Sequence, residues 1–187
     1  MYSIEYKEEL PSTNDWAKEH LDELSHLDVI SCNIQTHGHG QYDRTWYSSN
    51  KNGGNCYISI ILKPDTIKNT EKLTRYTSLI ASMALEKYGL NPKFKYPNDV
   101  LIEGKKIAGI LASSIIKGDE IKGIIIGVGI NLNLEFEELK NIDIPATSIF
   151  NETNKRVNKI EFIESFMALF EKNLNNLDKL EGEILCY

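Results

Sequence analysis

Two long apolar runs, Ile107 to Ile116 and Ile121 to Leu132, are separated only by Lys117-Gly118-Asp119-Glu120. Both are rich in isoleucine and valine, which suit a pleated strand. So short a connection cannot make a parallel crossover, and the two runs must form an antiparallel hairpin. A smaller hairpin precedes it. Pro97 and Asn98 interrupt the extended stretch Phe94-Lys95-Tyr96, Val100 to Ile102 reads as a strand, and Glu103-Gly104-Lys105 reads as the tight turn back. Asp99 and Lys106 then stand on the two arms of this turn, able to face one cavity. On an ordinary hairpin such a pair is a weak surface salt bridge; two further segments argue for more.

The rest of the chain supplies the frame. An alternating strand, Tyr2 to Lys7, leads to Ser12 or Thr13 as a helix N-cap and a short helix from Asn14 to Leu24. Strands Val29 to Ile34 and Asn55 to Leu62 follow. Leu73, Tyr76, Leu79, Ile80, Met83, Ala84 and Leu85 have helical spacing within Thr70 to Tyr88, and Gly89 closes that helix. A final helix carries Ile163, Phe166, Met167, Phe170, Leu174 and Leu177 on one face, with Asn158 and Glu161 at capping-box spacing. Such a stripe is core, not a cofactor box. The pattern predicts an α+β domain, a mixed and largely antiparallel sheet with helices packed on one face. With 187 residues, 41% of them apolar, the chain is expected to be a single domain over 1–187.

A net charge of −6 without a basic run argues against a nucleic-acid partner. Cys32, Cys56 and Cys186 are far apart and form no Cys-x-x-Cys pair, so neither a disulfide framework nor a zinc site is indicated. The charged N-terminus is no signal peptide, and no apolar run approaches a membrane span. A cytoplasmic protein without membrane contact is expected.

Between two of the strands, Gln35 to Gly54 lacks periodicity and is longer than compact domains usually tolerate without a function. It reads as a loop closing over a ligand, with Lys51-Asn52-Gly53-Gly54 as its hinge. Its first part is Gln35-Thr36-His37-Gly38-His39-Gly40-Gln41-Tyr42-Asp43-Arg44-Thr45-Trp46. Glycines with polar neighbours after a strand can present backbone N–H groups to an anion. No helix follows closely enough for a dinucleotide fingerprint. His37 and His39 lack a third ligand at metal-binding spacing. The second segment, Ile126-Gly127-Val128-Gly129-Ile130-Asn131-Leu132-Asn133, places glycines inside a strand, which marks a bulge or a close approach of ligand to backbone.

With Ser12-Thr13-Asn14, these segments resemble the catalytic domain of the biotin protein ligases in order and spacing, over nearly the whole chain. The family loop Gly-Arg-Gly-Arg-x-Gly-Arg-x-Trp appears as Gly38-His39-Gly40-Gln41-Tyr42-Asp43-Arg44-Thr45-Trp46. Two family arginines are replaced by His39 and Gln41, and a glycine by Asp43. The Trp-Pro-Asn-Asp motif appears as Tyr96-Pro97-Asn98-Asp99, and Lys106-Ile107-Ala108-Gly109-Ile110-Leu111 matches the lysine segment.

The resemblance implies the biotin/lipoate ligase-like catalytic fold alone, without the family's N-terminal DNA-binding and C-terminal barrel-like domains. It implies an ATP-dependent ligase that makes biotinyl-5'-AMP and passes biotin to a lysine of a biotin carboxyl carrier protein domain of a carboxylase. ATP and Mg²⁺ are then co-substrates, and no tightly bound prosthetic group is expected. Lys106 becomes the catalytic cation shared by the biotin carboxylate and the α-phosphate. Lys105 is expected to be a solvated turn lysine, since neighbours on a strand point to opposite faces. Asp99 is assigned to Mg²⁺ or to orienting the incoming amine. Arg44 is assigned to the phosphate, a task that suits a guanidinium.

Biotin falls to Ser12, Thr13, Asn14, Gln35, Gly38, Gly40, Lys106, Gly109, Leu111 and Gly127, although helix capping explains Ser12 and Thr13 equally well. ATP or the adenylate falls to His39, Gln41, Arg44, Trp46, Asn98, Gly129 and Asn131, the last reading in isolation as a strand-end turn residue. With two arginines replaced, the adenylate should leak, partly offset by aromatic cover from Tyr42 and Trp46. The carrier is expected to dock by edge-strand pairing, and the same edge could support a homodimer. The alternatives are a lipoate or octanoate ligase or transferase of the same superfamily, and a biotin-binding sensor with weak catalysis.

Overall fold

Alternation of apolar residues along seven strands builds one sheet whose two faces have different tasks. The computed structural model describes residues 2–41, 44–51, 53–63 and 69–174. Tyr42, Asp43, Asn52, Leu177 and Cys186 lie outside the described residues. In chain order the elements are β1 (Ser3–Leu10), α1 (Thr13–Glu19), β2 (Asp28–Gln35), β3 (Asn55–Leu62), α2 (Thr70–Glu86), β4 (Lys93–Lys95), β5 (Asp99–Ile102), β6 (Lys105–Lys117), β7 (Glu120–Asn131), α3 (Phe136–Leu139), α4 (Ile149–Thr153) and α5 (Lys159–Leu174). The strand order is β1-β2-β3-β7-β6-β5-β4. Among the described strands, only β1 and β2 pair in parallel, so the sheet is mixed and largely antiparallel, as the sequence predicts.

One face carries the main core. Ile58 and Ile60 of β3 and Ile124, Ile126, Val128 and Ile130 of β7 meet Leu73, Tyr76 and Ile80 of α2 and the predicted stripe Phe162, Ile163, Phe166, Met167 and Phe170 of α5. Burying each such side chain contributes about 1.5–3 kcal/mol. The two long helices thus share a face. The short α1 lies on the other, where Ala17 and Leu21 pack against Ile30, Cys32, Tyr57, Ile61 and Ile125.

Two boundaries differ from the sequence reading by three residues or more. β1 runs on to Leu10, because Glu9 and Leu10 pair with Ile34 and Gln35 of β2. α1 ends at Glu19 rather than Leu24, since the chain turns there (Glu23 N–H to His20 O, 2.9 Å). Leu21 still reaches the core beyond the helix.

Candidate active site

The open part of the α1 face is floored by glycines. In β7, residues 127 and 129 fall on the face opposite Ile126, Val128 and Ile130, and both are glycine. The register sets Gly129 beside Gly109 and Tyr57, and Gly127 beside Leu111 and Ser59. Side chains from elsewhere lie directly on this floor. A Cβ on Gly129 would stand 2.6 Å from Trp46 Cε2, on Gly109 2.8 Å from Trp46 Cζ3, and on Gly127 2.4 Å from Asn14 Nδ2. The glycines therefore leave room for the indole and the amide, the close approach that glycine in a strand signals.

At one end of the floor, the start of α1 gathers buried polar groups. Ser12 caps the helix, its Oγ accepting from the Asp15 N–H at 3.3 Å. The Thr13 N–H donates to Gln35 Oε1 at 3.0 Å. Ser59 Oγ lies 2.9 Å from Thr13 Oγ1 and 2.5 Å from Asn14 Oδ1, and its single hydrogen can serve only one of them. Ser12, Thr13, Gln35 and Ser59 are all buried. Polar side chains at this depth require partners, and a ligand with both donors and acceptors can take over some of these bonds.

At the other end stand Lys106 and Asp99, with Nζ 2.6 Å from Oδ1 and side chains only 19% and 21% exposed. Strict alternation on β6 would set Lys106 on the face of Ala108 and Ile110, in the core. A bulge prevents this. Asp99↔Gly109 and Val100↔Ala108 are followed by Leu101↔Lys106, leaving Ile107 extra. Ile107 and Ala108 both enter the core, and Lys106 joins Gly109 on the floor side, its Cε 3.1 Å from where a Gly109 Cβ would be. Re-aiming a side chain is a common use of bulges beside active sites. Asn98 fastens the opposite arm: its Nδ2 donates to Ile110 O at 3.0 Å, and its carbonyl accepts from the Ile110 N–H at 2.9 Å.

Between these ends lies a cavity of about 860 Å³. The residues singled out from sequence, Ser12, Thr13, Asn14, Gln35, His39, Gly40, Gln41, Arg44, Trp46, Asn98, Asp99, Lys106, Gly109, Leu111, Gly127, Gly129 and Asn131, all line it. Gly38 does not. It is buried behind the wall, with Gln35 Nε2 2.4 Å from where its Cβ would be and its carbonyl accepting from the Trp46 N–H at 2.9 Å. The indole of Trp46 has Lys106 Nζ 5.2 Å from its ring centre, and its buried Nε1 has no acceptor among the described residues. Lys105 departs from expectation: its Nζ donates to Glu152 Oε1 at 2.7 Å, so it is paired rather than merely solvated.

The sequence reading missed Tyr57, Lys95 and the segment Asn141 to Ala146, which forms one wall and brings Asp143 to the cavity, and Ser59, which does not line the cavity but bonds to Thr13 and Asn14, which do. Ser59 had a signal, a polar residue on the Tyr57 and Ile61 side of an apolar strand. The wall segment has no periodicity and had none. Cys32 and Cys56 are buried off the cavity, and burial pushes each thiol up to about 12, which suits neither to nucleophilic attack. Among the described residues, no three His, Cys, Asp or Glu side chains are grouped to hold a metal. Asp99 offers one carboxylate. That fits a Mg²⁺ arriving on nucleotide phosphates, which needs only one or two protein carboxylates, and not a protein-built cage.

A model of the biotin/lipoate A/B protein ligase family matches residues 6–131. The chain is 33% identical over 150 residues to the bifunctional ligase/repressor BirA of Bacillus subtilis, covering 77% of this chain and 45% of that protein. It thus spans less than half the length of that relative. It is also 28% identical over 176 residues to the biotin–[acetyl-CoA-carboxylase] ligase of Paracoccus denitrificans, covering 89% of this chain and 71% of that one. Among solved structures, the biotin protein ligase from Aquifex aeolicus in complex with biotin and ATP superposes with a TM-score of 0.83 at 28% identity, over 97% of this chain and 76% of that chain.

Proposed function

This chain belongs to the biotin/lipoate A/B protein ligase family, and from that premise we propose that it activates biotin with ATP and transfers the biotinyl group to a lysine of a biotin carrier domain. The observation that carries the reading is one cavity with a buried donor-acceptor set at one end and the Lys106–Asp99 pair at the other. The ureido ring of biotin needs such a set, and the apolar ring of lipoate or the tail of octanoate does not. A cysteine acyl-transfer route has no support among the described residues, where both thiols are buried away from the cavity.

In the first step a biotin carboxylate oxygen attacks the ATP α-phosphorus, the bond to the bridging oxygen breaks, and pyrophosphate leaves. The protein has to bring two anions together, and Lys106 is the cation placed to meet both. Trp46, on the glycine floor beside Lys106, covers the joined ligand and excludes water. Arg44, His39 and Gln41 face the phosphates. Mg²⁺ bound to the phosphates would offset their charge, with Asp99 as its protein ligand. In the second step the carrier lysine, as a free amine, attacks the acyl carbon and AMP leaves; Asp99 holds the incoming amine. Both carrier docking at a sheet edge and homodimer formation through the same edge belong to this proposal.

Titration calorimetry with biotin and with lipoate, followed by ATP-dependent pyrophosphate release, tests the reading. Biotin binding with biotin-dependent release is expected. Preference for lipoate would move the chain to the lipoate branch, and biotin binding without release would make it a sensor.

A further inference from the structure

The bulge that turns Lys106 into the cavity lies where the sheet runs out of partners. β7 pairs with β6 as far as Ala108↔Ile130 and ends at Asn131, so β6 continues to Lys105 without it. Residues 145–147 take its place in a parallel bridge, Lys106↔Ala146. The Lys106 N–H donates to Pro145 O at 2.8 Å, and Lys106 O accepts from the Thr147 N–H at 2.9 Å. These two bonds hold the backbone of Lys106 on its free side.

Thr147, fully buried, is the hub of that strap. Its carbonyl accepts from Asn131 Nδ2 at 2.9 Å, and Asn131 Oδ1 accepts in turn from Asn55 Nδ2 at 2.9 Å. Its hydroxyl donates to Glu152 Oε1 at 2.5 Å and accepts from Asn151 Nδ2 at 3.1 Å. Glu152 Oε1 also accepts from Lys105 Nζ at 2.7 Å, which ties α4 back to the residue before Lys106. Every polar atom of Thr147 is engaged. Its backbone bonds exist in any variant, so the hydroxyl is what locks the strap in register.

We propose that Thr147 is a positioning residue for Lys106: its hydroxyl, anchored on Glu152 of α4, holds the strap that keeps the bulged strand turned toward the cavity. This rests on the ligase reading for the reaction it serves. The polar groups of Asn131 are occupied by Thr147 and Asn55, so the same hub makes Asn131 a stitch in the cavity wall.

Thr147→Val keeps the shape and removes both hydroxyl bonds, and Thr147→Ser restores them. For two hydrogen bonds of ordinary net strength, the Val chain should lose about tenfold in kcat for biotin-dependent pyrophosphate release, with KM for biotin changed by less than about twofold. Amide hydrogen exchange at Lys106 should speed up by about the same tenfold factor, and the Ser chain should recover both. Parental kcat and Lys106 exchange in the Val chain would overturn the proposal, as would equal losses in kcat and biotin KM in both variants. Should the Val chain fail to fold, Glu152→Gln loosens the same anchor and is read in the same way. Exchange at Lys106 needs no substrate. It decides the strap's role even if the parent released no pyrophosphate, a result that would count against the ligase reading alone.

Discussion

Lys106 and Asp99 meet across a bulged hairpin in a mostly buried setting, where a positioned cation can act on a developing anion far more strongly than in water. Lys106→Ala is expected to slow biotinyl-adenylate formation by about 10²–10³ while circular dichroism stays parental. Adenylate formed at the parental rate would remove Lys106 from the chemistry. Gly129 presents the opposite case, a residue required for what it lacks. A methyl there meets the Trp46 ring, so Gly129→Ala should cost about 1–3 kcal/mol or displace the indole. Denaturant unfolding and tryptophan emission read the two outcomes, and a variant parental in both would show that the ring does not rest on this glycine. The pairing of Asp99 with Lys106 was legible as a hairpin with one charge on each arm. The bulge behind it was not, because nothing in Lys105-Lys106-Ile107-Ala108 marks which residue is extra; the competing burial of Ile107 and Ala108 decides it.

Among the elements, the long strands and helices were legible from apolar period, because each buries one face against the sheet. The short α3 and α4 were not, since side-chain bonds rather than an apolar stripe hold them. Two carboxylates illustrate this. Burial works against ionised Glu138, but Ser49 Oγ at 2.7 Å, the Glu135 N–H and Lys51 Nζ at 3.2 Å outweigh it and hold its pKa below the usual range. Burial likewise opposes ionised Glu152, and bonds from Lys105 and Thr147 outweigh it in the same direction. In both, the folded pKa lies below the unfolded value of 4.5, so the folded chain binds fewer protons between the two. Their stabilisation is complete above about 4.5 and is lost as pH falls through the folded pKa. Urea unfolding from neutral pH to about pH 3 should therefore show stability declining across that window, less steeply in Glu138→Gln combined with Glu152→Gln. The same slope in parent and double variant would contradict the assignment.

At the scale of the whole molecule, the proposed two-step reaction depends on holding a reactive intermediate between steps. His39 and Gln41 face the cavity where biotin protein ligases have arginines, so the adenylate should escape faster than from an arginine-rich relative and label lysines on bystander proteins. Gln41→Arg should slow that release by about ten- to a hundredfold, the worth of one charged hydrogen bond, measured as decay of bound adenylate after dilution. An unchanged decay would show that position 41 does not touch the ligand. What the sequence by itself determined were the strands, the two long helices and the motifs, because periodicity and turn chemistry act over a few residues. Folding alone decided that glycines from β6 and β7 align into a floor, that the segment before α4 replaces the end of β7, and that Tyr57 and Asp143 meet the same cavity. Those facts depend on register and on contacts between residues far apart in the chain, and no local pattern encodes them.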